Sequence, residues 1–214
     1  MPKQVFLNLP DVAQDKILQA VAEAFVDKGL RNTSAEDVAH RLNVQVDVLD
    51  RYFDGVRDML AAVLGRAIQY FNQAYIEVGK LQKPFWERVE FLFSFASRRG
   101  FRFQAFFNTY INVFASGMPD MAQATFDRFE GRAALFFQNL ILSGVQEGAL
   151  RDDMDVAYMA LHFQLVTRMM ITRRFHPMFR ARSVAYFPEI TMNEDGDERF
   201  VERSLTFLKA LYTS

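Results

Sequence analysis

The segment Ser34–Leu60, SAEDVAHRLNVQVDVLDRYFDGVRDML, constrains the fold of this chain more than any other stretch. Ser34, with Asp37 three residues later, is close to the capping-box pattern that begins a helix. Asn43 stands where the chain needs a residue that tolerates a left-handed backbone. The pattern predicts two short helices joined by a tight turn, a helix-turn-helix. Apolar residues at helical spacing support both helices: Val38, Ala39 and Leu42 before the turn, and Val48, Leu49 and Tyr52 after it.

Helical periodicity continues through the rest of the chain, and no stretch has the alternation of a strand. A helix begins near Asp11 and ends at Gly29, and six more helices follow the helix-turn-helix, which makes about nine in all. Residues 175–197, with Pro177, Pro188 and the sequence NEDGD, read as a long loop. We therefore predict an all-α fold with a small three-helix domain over residues 1–55 and a larger helical domain over residues 56–214.

The composition favours a packed soluble protein. Half of the residues are hydrophobic and 23 are Phe, so the chain can fill a sizeable core. No apolar run reaches the roughly 18–20 residues that span a bilayer, and the first residues do not have the layout of a signal peptide. The absence of Cys excludes disulfides and thiol nucleophiles and agrees with a reducing compartment. We expect a cytoplasmic protein with no membrane contact.

The distribution of charge along the sequence is unusual for a DNA-binding protein. The net charge is −1, but residues 1–60 contain seven Lys and Arg against ten Asp and Glu, a balance of −3. A DNA-binding module normally concentrates basic residues, because neutralised phosphates supply most of its non-specific affinity. Charge alone therefore does not predict a nucleic-acid partner here.

The N-terminal residues nevertheless resemble those of the TetR family of bacterial transcriptional regulators. The family's pattern is F-x-x-x-G at the end of the first helix, then T/S-x-x-x-I/V-A, G-V-S, and Y-x-Y-F-x-x-K-x-x-L, and this chain matches part of it. The residues that carry it are Phe25, Gly29, Thr33, Val38, Ala39, Val44, Leu49, Tyr52, Phe53 and Leu60. The resemblance implies a ligand-responsive transcriptional regulator, in the first instance a repressor. It further implies a homodimer through the last two helices, a small-molecule pocket in the C-terminal helices, and a third helix that enters the major groove of operator DNA.

Carried onto this sequence, the resemblance predicts a DNA-binding face. Ser34 and Gln45 are helix caps that can also touch phosphate. Arg51 and Arg57 could clamp phosphates, although Arg57 could equally pair with Asp54 or Asp58. The complete set of predicted DNA-binding residues is Lys3, Ser34, Gln45, Val46, Asp47, Val48, Arg51, Tyr52 and Arg57.

The same face departs from the family pattern. Asp47, Asp50 and Val56 stand where the family has DNA contacts, and Asp47, Asp50 and Asp54 would form one acidic stripe if the third helix reached its boundary. An Asp can accept a hydrogen bond from cytosine, but several carboxylates beside phosphates repel the duplex. Two hypotheses stay open. Either the dimer binds its operator, or the module has lost ordinary DNA binding and serves protein interaction or small-molecule binding.

Aromatic and Met residues in the C-terminal helices could line a large apolar pocket. For each one alone, core packing is the better interpretation. The predicted ligand-binding set is Phe71, Tyr75, Phe103, Phe106, Phe107, Tyr110, Met159, His162, Phe163 and Met170. Such a pocket would take a small apolar or aromatic effector.

Apolar residues surround the predicted helix 153–174 almost completely, and the final helix over 197–212 carries two apolar stripes. A helix without a clear polar face must be covered on both sides, which independently indicates a second subunit. No enzymatic motif accompanies these features. The three His residues lack metal-ligand spacing, and the sequence has no Gly-rich phosphate loop or Ser nucleophile motif. We expect no catalysis, cofactor or metal.

Overall fold

A computed structural model of the protein describes residues 2–173 and 176–213, with the backbone alone over residues 99–102. These residues form helices and no strand, so the predicted all-α class is confirmed. Over these described residues, twelve helices and one π-helical turn (Phe126–Glu130) follow each other. The helices are α1 (Gln4–Leu7), α2 (Asp11–Lys28), α3 (Ala35–Leu42), α4 (Val46–Asp50), α5 (Val56–Lys80), α6 (Phe85–Arg102), α7 (Gln104–Ala115), α8 (Pro119–Thr125), α9 (Gly131–Gln146), α10 (Val156–Thr172), α11 (Pro177–Tyr186) and α12 (Glu194–Tyr212).

The helices outnumber the predicted nine for three reasons. The N-terminal arm contains α1, and the predicted helix over residues 119–146 is divided by the π-helical turn. The predicted loop over residues 175–197 is wrong for its first half, where α11 forms. Pro177 is the first residue of α11, a position at which its fixed φ angle suits the helix and its missing N–H costs nothing. Pro177 therefore begins this helix and does not interrupt one.

One compact unit consists of residues 2–70 together with Ala105–Thr125. It contains α1 to α4, the first part of α5, nearly all of α7, and α8. Its core is apolar and almost fully buried, because α2, α3 and α4 each turn one stripe inward. The buried stripes are formed by Leu18, Val21 and Phe25 on α2, Val38 and Ala39 on α3, and Leu49 on α4.

The other compact unit consists of Phe71–Gln104 and residues 126–213. Its helices pack closely where side chains are small. In α9, a Cβ atom at Gly144 would lie 2.7 Å from the Phe85 ring and 2.8 Å from the Leu150 side chain. Helix α10 packs against α6 and α9, and α12 packs against α6. A functional boundary at residue 55 stays a prediction.

Candidate functional site

The helix-turn-helix has the local geometry that its sequence predicts. The Ser34 hydroxyl accepts a hydrogen bond from the Asp37 N–H at 3.2 Å, and the Asp37 carboxylate accepts one from the Ser34 N–H at 3.0 Å. The backbone hydrogen bond from Ser34 holds the pKa of Asp37 below its usual value. Asn43 ends α3 in the left-handed conformation, with φ 56° and ψ 47°. The capping box and the turn are therefore confirmed.

The second helix of the motif, α4, is only five residues long. Leu49 anchors it in the core, with 1% of its surface exposed. Gln45 occupies the N-cap position but its side chain makes no capping hydrogen bond, so the predicted cap is wrong. Gln45 is exposed. Val46 and Val48 are half-buried, whereas Asp47 is exposed.

The N-terminal arm is folded onto this motif. Phe6 of α1 is buried, and its ring centroid lies 4.9 Å from that of Phe53 and 6.0 Å from that of Tyr52. The Lys3 N–H donates to the Tyr52 carbonyl at 2.8 Å. Sequence reasoning missed Phe6, because a single apolar residue in a four-residue helix has no periodicity to mark it.

The ammonium group of Lys3 lies at the C-terminal end of α4. Its Nζ atom donates to the Asp50 carbonyl at 2.7 Å and lies 2.8 Å from the Asp54 carboxylate. The hydrogen bond from Lys3 holds the pKa of Asp54 below its usual value. Because α4 ends at Asp50, Asp54 lies beyond the helix, and the condition for one helical stripe of Asp47, Asp50 and Asp54 is not met.

The two arginines of the predicted DNA-binding face also lie beside carboxylates. Arg51 is 3.9 Å from Asp47, and both side chains are exposed. Arg57, at the start of α5, pairs with Asp120 at the start of α8. The expected partners Asp54 and Asp58 are therefore wrong, because the true partner comes from a part of the chain 63 residues away. The hydrogen bond from Arg57 holds the pKa of Asp120 below its usual value.

A second contact joins the same parts of this unit. The Arg31 guanidinium donates to the Gly117 carbonyl at 2.5 Å, and Gly117 has a φ angle of +66°. The two arginine contacts border a shallow cleft of about 420 Å³, which Leu30, Thr33, Val56, Met118 and Pro119 also line. No local sequence pattern predicts that Arg31 and Asp120 make these contacts, because 86 residues separate Arg31 from Gly117 and 63 residues separate Arg57 from Asp120.

The structure divides the predicted ligand-binding residues between the two units. Phe106, Phe107 and Tyr110 belong to the unit of the helix-turn-helix, where all three are buried. The others belong to the second unit. Of these, Phe71, Met159, Phe163 and Met170 are buried, whereas Tyr75, Phe103 and His162 are half-buried.

Tyr75 lies at the meeting point of aromatic and polar groups in the second unit. Its ring stacks on Phe136 with centroids 4.3 Å apart. Burial raises the pKa of the Tyr75 phenol, and the charges of Arg168 and Glu130 act on it in opposite directions. The Arg168 guanidinium donates to the Glu130 carboxylate at 2.6 Å, and the Gln164 amide donates to the same carboxylate at 3.1 Å. This combination of a half-buried phenol and an ion pair is suited to orienting a polar group of a mostly apolar molecule.

His162 has a partner within the fold. Its Nδ1 atom is hydrogen-bonded to the Tyr212 hydroxyl, which joins α10 to α12. The Tyr158 ring packs against the same imidazole, with centroids 4.6 Å apart.

Comparison with solved structures identifies the architecture. No protein-family model matches the sequence, and no match is found among curated proteins. A TetR family transcriptional regulator from Chloroflexus aurantiacus superimposes with a TM-score of 0.72 at 15% identity, over 100% of this chain and 99% of that one. The chain has the fold of the TetR family regulators.

Two further structures with this TetR fold cover nearly the whole chain. The ketosteroid transcriptional regulator KstR2 of Mycobacterium tuberculosis has a TM-score of 0.68 at 16% identity, over 96% of this chain and 97% of that one. PfmR from Thermus thermophilus has a TM-score of 0.67 at 20% identity, over 92% and 98%. At these identities the likeness is one of fold alone.

Two helices of the TetR-like fold expose apolar side chains in the second unit. On α10, Tyr158, Leu161 and Leu165 are 57%, 48% and 51% exposed and follow each other at i, i+3 and i+7. On α12, Phe207 is 63% exposed and Leu211 is 37% exposed.

No helix within the described part of the chain is long and apolar enough to cross a membrane.

Proposed function

We propose that this chain is a ligand-responsive transcriptional regulator of the TetR type, acting in the cytoplasm without catalysis and binding operator DNA as a homodimer. The observation that carries the proposal is the capped α3, the left-handed Asn43 and the anchored α4, within a fold shared with TetR regulators along the entire chain. These features hold a short helix in the arrangement by which helix-turn-helix proteins present side chains to the major groove.

In this proposal α4 reads the bases and the flanking residues hold the phosphates. Gln45, Val46, Asp47 and Val48 lie at the N-terminal end of α4, the end that contacts base edges in such complexes. Asp47 can accept a hydrogen bond from the N4 amine of cytosine. The phosphate contacts come from Lys3, Ser34, Arg51, Tyr52 and Arg57.

The carboxylates beside these cations do not prevent phosphate binding. Arg51 and Asp47 are both exposed, and an exposed ion pair contributes little free energy. Arg57 and Asp120 are exposed in the same way. A phosphate can therefore replace either carboxylate, and the guanidinium then makes charge-assisted hydrogen bonds to the DNA backbone.

The dimer forms through the exposed apolar residues of α10 and α12. Contiguous exposed apolar side chains on a soluble protein mark interaction surfaces, and twofold pairing of one surface is the commonest solution. Leu165→Arg should give a monomer in sedimentation equilibrium, because it places a charge in the apolar stripe of α10. The matched control is Ile76→Arg, at a site that is equally exposed on α5 and outside the stripe. A dimer that survives Leu165→Arg would contradict this interface.

The effector is a small, mostly apolar or aromatic molecule bound among the aromatic side chains of the second unit. Tyr75 and the ion pair of Glu130 with Arg168 would orient its polar group. KstR2, which has the same fold, is described as a ketosteroid regulator, and this agrees with an apolar ligand class. Effector binding shifts a population of conformations in which α5, a single helix from Val56 to Lys80, changes the spacing of the two α4 helices.

A salt titration against DNA from the chain's own promoter region tests operator binding. Fluorescence anisotropy should show affinity that falls with salt, with a logarithmic slope of about 0.9 for each phosphate neutralised. Arg51→Ala should reduce the slope, whereas Arg132→Ala, an exposed control on α9, should not. An absence of salt-sensitive binding at low ionic strength would exclude ordinary operator control.

The exposed carboxylates of α4 favour a second candidate, an interaction module that meets a basic protein. Asp47 and Asp50 are both exposed on this short helix. The negative face is broken, however, by Lys3 at one end and Arg51 beside Asp47. The double variant Asp47→Asn with Asp50→Asn would weaken a protein partner in this second function. In operator binding it would change DNA affinity or sequence preference and affect no protein partner.

A further inference from the structure

A groove of about 830 Å³ runs between α6 and α12, within the second unit. None of the residues predicted to bind the effector lines it. Val201 and Leu205 of α12 form an apolar floor, and both are at least 93% buried. Ser94 and Ser97 of α6 add two hydroxyl groups to the lining.

Carboxylates form a regular row along this groove. Glu194, Glu198 and Glu202 follow each other at i, i+4 and i+8 on α12, and all three are exposed. A helix rises 1.5 Å per residue, so neighbouring members of the row are about 6 Å apart along the axis. Glu90 contributes a further exposed carboxylate from α6.

The balance of charge in the groove is negative. Asp197 also lines it but is already paired with the buried Arg173 at 3.2 Å. Two cations line it: Arg98, 3.7 Å from Glu198 in an exposed pair, and Lys209, whose Nζ atom lies 5.6 Å from the Trp86 ring centroid. Apart from Asp197, four carboxylates thus face two cations, and a cleft lined mainly by one sign of charge concentrates counter-ions of the opposite sign.

Ser97 provides an independent sign of a ligand. Its side chain is 97% buried, it lines the groove, and its hydroxyl oxygen has no hydrogen-bond partner. A serine inside a helix normally bonds to the carbonyl of the preceding turn, and buried hydroxyl groups rarely lack a partner. The Ser97 oxygen is therefore a hydrogen-bond acceptor that no protein group uses, buried at the wall of the groove.

We propose that this groove binds an aliphatic polyamine. Its ammonium groups would meet the carboxylate row, since spacers of three or four methylene groups cover about the 6 Å between successive glutamates. The methylene groups would lie on Val201 and Leu205, and one ammonium would donate to Ser97. An ammonium group carries donors and no acceptor, which suits a lining of carboxylates and hydroxyl groups.

The geometry of the groove favours a polyamine over a divalent cation. A calcium or magnesium ion needs several oxygen ligands within about 2–2.6 Å. In the described part of the chain no three His, Asp or Glu side chains come close enough together to hold a metal ion. A row of separated carboxylates instead matches a chain of separated positive charges.

The groove is compatible with the proposed dimer. At 3.6 residues per turn, Phe207 projects from the side of α12 roughly opposite to the carboxylate row. A polyamine bound to the row would leave Phe207 exposed for the second subunit. The two proposals are therefore independent, and the groove can be tested whether or not the chain binds DNA.

Trp86 provides the readout, because it is the only tryptophan and lies beside the groove-lining Lys209. Spermidine titrated into the full chain should change Trp86 fluorescence saturably, and calorimetry should give one site per chain. Glu198→Gln with Glu202→Gln should weaken binding at least tenfold, and Ser97→Ala should weaken it several-fold. The matched control is Glu36→Gln with Glu87→Gln, which removes the same charge from exposed helical sites outside the groove.

Ligand controls complete the test. In support of the proposal, 1,4-diaminobutane should bind more tightly than butylamine, because only the diamine spans two carboxylates. Equal binding of these two amines would overturn it, as would Mg²⁺ competing with spermidine at equal concentrations. Equal affinities of the groove double variant and the control double variant would also overturn it, because the negative surface as a whole would then be responsible.

Discussion

The Lys3 ammonium group lies 2.8 Å from the Asp54 carboxylate, so the N-terminal arm neutralises an acidic residue just beyond α4. The same ammonium donates to the Asp50 carbonyl at 2.7 Å, and the Lys3 N–H donates to the Tyr52 carbonyl. The arm is therefore part of the helix-turn-helix surface. A positive charge predicted to contact phosphate is already engaged with a carboxylate before DNA arrives.

Asp54→Asn should release this charge for DNA. We expect stronger binding to promoter DNA at low salt and a steeper salt dependence, by about 0.9 in the logarithmic slope if Lys3 gains one phosphate contact. Anisotropy titrations at several salt concentrations measure both quantities. Asp152→Asn, an exposed site in the second unit, is the control. Weaker binding by Asp54→Asn would instead show that Asp54 positions Lys3 for the phosphate.

Ser34→Ala should reduce the free energy of unfolding by about 1 kcal/mol, because it removes the side-chain acceptor at the start of α3. Urea denaturation measures the change. Thr206→Ala removes an exposed hydroxyl within α12 and should change stability much less. Equal losses in the two variants would mean that the capping box does not stabilise the motif.

Two glycines of α9 should respond in opposite directions to Ala. Gly144→Ala brings a Cβ within 2.7–2.8 Å of Phe85 and Leu150 side chains, so overpacking should destabilise the protein by about 1–3 kcal/mol. A Cβ at Gly131 meets nothing within 4 Å, so Gly131→Ala should be neutral or stabilise by up to about 1 kcal/mol. Thermal and urea unfolding of both variants test the pair. A tolerated Gly144→Ala would contradict the close packing of α9 at Phe85.

Ionisation of the Tyr75 phenol should lower the free energy of unfolding at alkaline pH. Burial raises its pKa in the folded protein above the value of about 10 for an unfolded tyrosine. The unfolded state then loses this proton first, so the stabilising contribution is complete below pH 10 and is lost as the pH rises further. The expected loss from this group is about 1.4 kcal/mol per pH unit.

Urea unfolding between pH 9 and pH 11.5 separates Tyr75 from the other tyrosines. Tyr75→Phe should flatten the alkaline decline by the contribution of one group. Tyr186→Phe, at a side chain that is 74% exposed, should leave the decline unchanged. An identical pH dependence in the wild type and Tyr75→Phe would show that the phenol ionises as readily in the folded protein as in the unfolded one.

The sequence predicted some of the residues at the helix ends correctly, whereas it did not predict the contacts between distant segments. Ser34, Asp37 and Asn43 behave as predicted, because a cap and a turn depend on residues three or four apart. Gln45 fails, because a residue at the N-cap position can turn its side chain to solvent. The interpretation of Pro177 as a loop residue fails because proline both ends helices and begins them.

By itself, the sequence determined the helical class, the capped α3, the turn at Asn43 and the likeness to TetR regulators. These features rest on apolar periodicity and on hydrogen bonds between near neighbours, which a linear pattern contains. Only the tertiary structure decided that Lys3 meets Asp54, that Arg57 meets Asp120, and that α6 and α12 enclose a groove with carboxylates along one side. Each of these joins residues dozens of positions apart, and their meeting depends on how the helices pack, because no local spacing brings such distant charges together.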